Sequence, residues 1–338
     1  MRKIIRTIIL VTLSIALLVF VFSRADRSLV VDALLSASPN LLVFGLLLMF
    51  LSYPFRAQRW RYLLRPVEPV GFNSSFRATT IGFAINALLP GRVGELVRPL
   101  VLARREKLSA TSAFATVVIE RLLDLLVVCV VLLCFAVSGF QNSSGGDELL
   151  AAMRSTLLIL SLLAVGGLGF VFYAAFQPDW SARLNKRLHV AESGGIKYRT
   201  IVAFQRFLEG LAIIRDRGSF FLALVWSIPL WLTMAVSVWC VSTAFGVIVT
   251  VNEAALLLAM IFVGVSLPTP AGVGGYHAAY QLGATTLFGA SADKAVGAGL
   301  VLHLFSFGPV IFLGLFFMVQ EGLWFGNIKE MVAKIDKS

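Results

Sequence analysis

The chain reads as an all-α polytopic membrane protein of about six full transmembrane helices and two opposed re-entrant hairpins. Three observations predict this. First, 58% of the 338 residues are hydrophobic, only 14% are charged, and the mean hydropathy is +0.88. A soluble domain carries about a quarter charged residues, so this chain lacks a polar coat. Second, apolar stretches near spanning length, roughly 20 residues, recur from Ile8 to Phe22, Leu41 to Tyr53, Val117 to Val137, Thr156 to Phe176, Phe220 to Val241 and Val296 to Val319. Third, two further apolar segments are interrupted by helix breakers, Leu89-Pro90-Gly91-Arg92-Val93-Gly94 and Leu267-Pro268-Thr269-Pro270-Ala271-Gly272-Val273-Gly274-Gly275. Pro/Gly-interrupted segments in both halves of a membrane protein point to a binding site at the bilayer midplane.

Lys and Arg between the spans set the orientation. Arg2, Lys3 and Arg6 precede the first span, and Arg56, Arg59, Arg61 and Arg65 follow the second, which places both connections in the cytoplasm. Arg56, Arg59, Trp60 and Arg61 are read as anchors at that membrane surface. The connections 141–150 and 244–253 contain no Lys or Arg and read as outside turns. The basic segment 177–217 and the tail with Lys329, Lys334 and Lys337 return inside. Both termini are therefore expected in the cytoplasm, with the protein in the cytoplasmic (inner) membrane. Met1-Arg2-Lys3 before an apolar run resembles a signal peptide, but the run is longer than a usual signal core and more spans follow, so it is read as an uncleaved first helix.

The same parity shapes the two interrupted segments. A full crossing at 72–89 would leave Arg92, Arg98, Arg104, Arg105 and Lys107 outside and reverse every later connection. A hairpin removes the conflict: 72–89 enters from the cytoplasm, breaks at Pro90-Gly91 and returns through Glu106. Residues 254–267 enter from outside, break between Pro268 and Gly275, and return through Leu287. Opposed broken elements are what an inverted repeat produces; a plain count of eight spans is the competing topology. Residues 1–338 are expected to form one integral membrane domain. Within it, 177–217 reads as a cytoplasmic amphipathic connection, with Trp180, Leu184, Leu188, Ile201, Phe204 and Phe207 near helical spacing among basic residues; a solvated connecting loop with ordinary packing is the other reading.

The net charge of +11 does not point to nucleic acid, because the basic residues are spread between spans and form no single patch. Cys129, Cys134 and Cys240 lie within apolar spans without metal-ligand spacing, so no metal or cofactor is expected. The candidate site residues are polar groups in apolar surroundings. Arg92, Glu95 and Arg98 repeat every three residues, which on a half-helix starting at Pro90-Gly91 aligns them as one stripe with the carboxylate between two guanidiniums. Helix-start amides and Arg side chains suit a phosphate; a buried ion pair locking the hairpin is the other reading. Glu120, Arg121 and Asp124 occupy one turn deep in the next span, where charges face a bundle interior or a water path. They either pair with the first stripe or relay protons. The second segment offers Pro268, Pro270, Gly272 and Gly274, with bare amides at its returning start, and His277 one turn in, which either packs or titrates.

Pro90-x-Arg92-x-Gly94-Glu95-x-x-Arg98, Glu120-Arg121-x-x-Asp124 and Pro268-x-Pro270-x-Gly272-x-Gly274, in this order and spacing, resemble the lysylphosphatidylglycerol synthase transmembrane family, the flippase-like or UPF0104 membrane proteins. The resemblance implies a multi-span domain that moves lipids between leaflets. In the multiple peptide resistance factors such a domain is fused to an aminoacyl transferase; no matching segment is recognised here, so aminoacylation is not expected. Family members often carry an acid after the second motif, where this chain has His277. The expected function is a flippase or transporter of an anionic phospho- or glycolipid, with a membrane phospholipid or lipid-linked substrate as partner and no catalytic residue assigned. An intramembrane lipid phosphatase or transferase, or a non-transporting scaffold for a lipid synthase, are the alternatives. The chain carries no His-Glu-x-x-His, Gly-x-Ser-x-Gly or phosphate-loop motif.

Overall fold

The computed structural model describes residues 25–89, 91–106, 108–138, 216–267 and 269–324, with scattered positions in 12–23 and 155–173 and residue 207. The predicted span 8–22 and the connection 177–217 lie largely outside these residues, and 156–176 is described in part, at helical positions between Thr156 and Tyr173. The described elements are α1 (Arg27–Ser36), α2 (Pro39–Leu64), α3 (Phe72–Leu88), α4 (Gly94–Arg105), α5 (Ala110–Ser138), α6 (Arg217–Ala244), α7 (Val251–Val265), a 3-10 turn at Pro270–Gly272, α8 (Gly275–Thr286) and α9 (Ala292–Gln320). No strand occurs among them. The protein is an all-α polytopic membrane protein.

Helices α2, α6 and α9 are each long and apolar enough to cross a bilayer. At 1.5 Å per residue they extend roughly 39 to 44 Å, against a hydrocarbon core of about 30 Å. Their outward faces are apolar: Leu47, Ile228 and Phe312 are 59%, 66% and 78% exposed, a surface that lipid covers and water does not. Local signals set the ends. Pro39 sits in the first turn of α2, where its missing N–H removes nothing. Thr250 and Glu253 form a reciprocal capping box on α7. Short α1, not anticipated from the hydropathy pattern, is capped by Asp26, which accepts from the Ser28 amide at 2.8 Å, and it packs on α9.

Helices α2 and α6 run antiparallel at the centre. The Ser38 amide donates to the Ala244 carbonyl at 3.3 Å at one end, and Phe55 meets Trp226 toward the other, with ring centroids 5.8 Å apart. The α3/α4 hairpin starts beside the Leu64 end, where Arg61 holds the Val70 carbonyl at 2.8 Å and Ser75 holds that of Ala57 at 2.8 Å. The α7/α8 hairpin starts beside the Ala244 end. The hairpins therefore enter from opposite ends of the bundle, as charge parity predicts. Phe83 meets Tyr53 and Phe262 meets Trp231, so the tips reach the middle of the long helices.

The lengths expose the repeat that the residues hide. Elements α2 to α5 contain 26, 17, 12 and 29 residues, and α6 to α9 contain 28, 15, 12 and 29. Exchanging the halves also maps the packing onto itself: α3 lies on α9 as α7 lies on α5, and α2 touches α5 as α6 touches α9. Each half is a long helix, two half-length legs and a second long helix, in inverted order through the membrane.

Glycine makes the legs fit. The returning leg begins on glycine in both hairpins, Gly94 and Gly275, with its backbone against a glycine of the entering leg, Gly82 and Gly264. A Cβ on Gly94 would overlap the Gly82 carbonyl oxygen, and one on Gly264 that of Gly275. Small residues let helices approach this closely in lipid, where no hydrophobic force drives them together. Gly94→Ala and Gly264→Ala should each lower the melting temperature of the detergent-purified protein, at a cost of about 1 to 3 kcal/mol. Gly71→Ala, a position with open space around it, should leave it unchanged.

Candidate functional site

The hairpin tips touch. Gly91 and Arg92 take positive φ, +85° and +56°. From that turn the Arg92 guanidinium crosses to the other hairpin and donates to the Val265 carbonyl at 2.9 Å. An arginine in the left-handed region is strained, and the cross-hairpin bond is what this conformation achieves. On the other side Ala271, Gly272 and Gly274 also have positive φ, and the His303 imidazole lies 3.0 Å from the Ala271 carbonyl. Between the tips and helices α2, α5 and α9 is a cavity of about 150 Å³. Its polar lining includes Ser52, Arg56, Asn86, Arg92, Glu95 and Arg121, and its apolar lining Met49, Phe83, Phe262 and Phe307.

Behind the cavity is an ionic knot. Glu120 is fully buried and receives two bonds from Arg98 Nη1, at 3.1 and 3.0 Å, and one from Arg121 at 3.0 Å; Arg59 Nη2 stands 3.2 Å away. Asp124 accepts from Arg59 at 2.7 Å and lies 3.3 Å from Arg121 and 3.9 Å from Arg56. Glu95 completes the chain, 3.7 Å from Arg92 and 4.0 Å from Arg121. Arg98 also stacks over Trp60, with its guanidinium carbon 3.6 Å from the ring centroid, and the Trp60 indole donates to Thr116 at 2.9 Å. Glu120 and Arg59 are sealed, whereas the side chains of Arg92, Glu95 and Arg121 remain 35%, 26% and 25% accessible. The charge grades from a sealed interior to the accessible cavity.

Glu120 and Arg121 thus pair with the first hairpin, one of the two readings open from sequence, whereas Asp124 pairs with Arg56 and Arg59 of α2 and with Arg121 of its own helix. The expected single stripe of Arg92, Glu95 and Arg98 does not form. The helix begins at Gly94, Arg92 precedes it, and Arg98 turns to Glu120, away from the cavity lining. Three of the amides at the start of α4 are not open for an anion: those of Glu95, Leu96 and Val97 donate to the carbonyls of Arg92 and Val93. In the second motif, Pro268 lies outside the described residues. Pro270 opens the 3-10 turn, Gly272 lines the cavity and Gly274 is the N-cap residue preceding α8. His277 is buried behind the turn, its ring 4.7 Å from that of His303.

Arg56, Arg59 and Trp60 correct the sequence reading. They do not mark a membrane surface; Arg59 and Trp60 are fully buried and Arg56 is 9% exposed. Helix α2 continues to Leu64 beyond them and turns their face toward α5. A signal was present: Tyr53, Arg56, Arg59 and Trp60 recur at three- and four-residue spacing, one helical face.

Fold and site together define a helical membrane protein with an arginine-rich cavity where two half-spanning hairpins meet at mid-depth. The model of the lysylphosphatidylglycerol synthase TM region matches residues 7–314, and the chain belongs to that family. Membership makes it a membrane protein connected with lipids. A UPF0104 membrane protein of Methanothermobacter thermautotrophicus is 25% identical over 303 residues, covering 84% of this chain and 86% of the relative. Glycosyltransferase AglD of Haloferax volcanii is 27% identical over 310 residues, covering 82% of this chain and 48% of the relative. A UPF0104 membrane protein of Methanocaldococcus jannaschii is 25% identical over 146 residues, covering 41% and 44%. This chain spans about half the length of the glycosyltransferase it matches.

Removing one partner of a buried ion pair leaves the others uncompensated, at a cost of about 3 to 5 kcal/mol. Glu120→Gln, which leaves Arg59, Arg98 and Arg121 short of a carboxylate, should destabilise the purified protein by that amount in thermal or denaturant unfolding. Glu95→Gln, at the accessible rim, should cost about 1 kcal/mol or less.

Proposed function

We propose that the protein is a lipid transporter of the cytoplasmic membrane, carrying an anionic phospho- or glycolipid between leaflets by alternating access around the two hairpin tips. One observation carries this reading: an arginine-lined, partly accessible cavity lies at mid-depth where inverted repeats meet, the place where transporters of this architecture bind substrate. The head group would sit against Arg56, Arg92 and Arg121, and the chains along the apolar lining. The Arg92 bond to Val265 spans the hairpins, so an anion that draws Arg92 away loosens the contact between the halves. Glu95, Glu120 and Asp124 keep the guanidiniums charged and placed while this happens. Gly272 and Gly274 give the second tip the turn it needs, beyond the entering leg, which ends at Val265. His277 and His303 brace that turn from behind.

In vesicles carrying a fluorescent anionic lipid, the purified protein should speed its passage between leaflets, and Arg92→Ala and Arg121→Ala should each slow that passage at least tenfold at equal protein content. Equal rates for Arg92→Ala and the unaltered protein would remove the arginine cradle. Chemical conversion of the lipid during the assay would favour the intramembrane enzyme.

The orientation has its own check. Arg61, Arg65, Arg104, Arg105 and Arg217 gather at one end of the bundle and Asp26, Glu253 and Asp293 at the other, and positive charge favours the cytoplasm. In a variant lacking its three cysteines, an impermeant maleimide should label Ser291→Cys in intact cells and Glu68→Cys only after permeabilisation.

A further inference from the structure

The ionic network is not neutral. Among the described residues, Arg56, Arg59, Arg92, Arg98 and Arg121 face Glu95, Glu120 and Asp124, an excess of two positive charges within one connected cluster. Uncompensated charge at this depth is costly. The excess is not spread evenly. Arg59 and Arg98 have their carboxylates within 3.2 Å, whereas the contacts of Arg56 among the described residues are looser: Asp124 at 3.9 Å, the Met234 sulfur at 3.5 Å and the Phe83 ring, whose centroid is 4.8 Å from the guanidinium carbon. Its buried Nε has no hydrogen-bond partner among the described residues, as is also true of Nε in Arg59, Arg98 and Arg121, but unlike Arg59 and Arg98 its side chain lines the cavity, together with Arg92 and Arg121. Arg92, the other half of the excess, shares one carboxylate at 3.7 Å with Arg121 and otherwise holds only a backbone carbonyl.

From this we infer that the ligand of the cavity is a lipid with a doubly negative head group, a phosphomonoester or diphosphate, and that Arg56 is the residue that selects it. The inference rests on the reading of the cavity as the substrate site and names its chemistry. A phosphomonoester carries about −1.5 to −2 charges near neutral pH, which balances the excess. A phosphodiester lipid carries one negative charge and leaves one guanidinium unpaired. A zwitterionic head group leaves both excess charges standing and adds a cation among arginines. Three terminal oxygens also match three guanidiniums arriving from α2, the first tip and α5, since each guanidinium can hold two oxygens in a fork.

The test uses the full purified chain with short-chain phosphatidic acid, phosphatidylglycerol and phosphatidylcholine, and with inorganic phosphate, and reads binding by thermal stabilisation and by native mass spectrometry. Phosphatidic acid should bind at least about tenfold more tightly than phosphatidylglycerol, the ratio expected of one added charge-assisted contact, and phosphatidylcholine more weakly than either. Arg56→Gln should bring the ratio of the two anionic lipids to near one, and Arg56→Lys should restore most of it. Arg92→Gln, at a more accessible position, should lower the ratio in the same direction if Arg56→Gln does not fold. Equal binding of the two anionic lipids, or an unchanged ratio in Arg56→Gln and Arg92→Gln, overturns the inference. Inorganic phosphate binding as tightly as phosphatidic acid overturns it too, by assigning the site to a soluble anion. Vesicle transport separates the two levels: a selective site with no movement of any probe sinks the transporter reading alone, and movement of all probes at one rate sinks the selectivity alone.

Discussion

Glu120 is the point on which the rest of the structure depends. A carboxylate with no exposed surface holds three guanidiniums brought by three helices, Arg59 from α2, Arg98 from α4 and Arg121 from its own α5. In a low-dielectric interior neither sign is tolerable alone. The first hairpin is therefore fastened to the bundle by an interaction that is directional and strong because it is dry. A hydrophobic contact would not serve in the same way, since lipid competes for apolar surface as well as protein does. Trp60 closes the arrangement by covering the Arg98 guanidinium while its indole nitrogen is satisfied by Thr116.

The two halves share a plan and divide the labour. The first hairpin is charged, pinned from behind by Arg98 and at its base by ion pairs of Arg77 and Arg105 with Glu321, which caps the end of α9. The second carries no Asp, Glu, Lys or Arg between Ala254 and Gly289. It is built from close backbone contacts and aromatic packing around Tyr276, His277, His303 and Phe307. Packing without charge slides more readily than a buried ion pair breaks, so in an alternating cycle the second hairpin is the element suited to move. The Arg92 to Val265 bond is where such movement would be felt by the charged half.

Much of this was legible along the chain. Hydropathy and Pro/Gly punctuation located both hairpins to within a few residues of their observed ends, because a half-length apolar helix followed by breakers has few other uses in a membrane. Charge parity oriented the hairpins against one another. The triad Glu120, Arg121 and Asp124 was visible because charge in an apolar span is rare and demands a partner. Missing were the partners on α2: a basic residue near the end of a span looks the same whether it faces head groups or the interior, and Arg56 and Arg59 face the interior. The stripe of Arg92, Glu95 and Arg98 failed because Arg92 stands before the helix with positive φ, outside the period on which the spacing argument relied, and Arg98 within it turns to Glu120.

The sequence by itself determined the class of the protein, the places where its backbone breaks and the stock of charge that must be buried. These depend on transfer free energies and local backbone preferences, which each segment carries with it. Tertiary structure alone decided which charges meet, that the tips touch through Arg92, and that five guanidiniums share three carboxylates around one cavity. Pairing depends on which helix faces turn toward one another. The lengths 26, 17, 12 and 29 repeated as 28, 15, 12 and 29 show why the inverted symmetry stayed hidden: what repeats is the geometry of spans and half-spans, which many different apolar residues satisfy equally well.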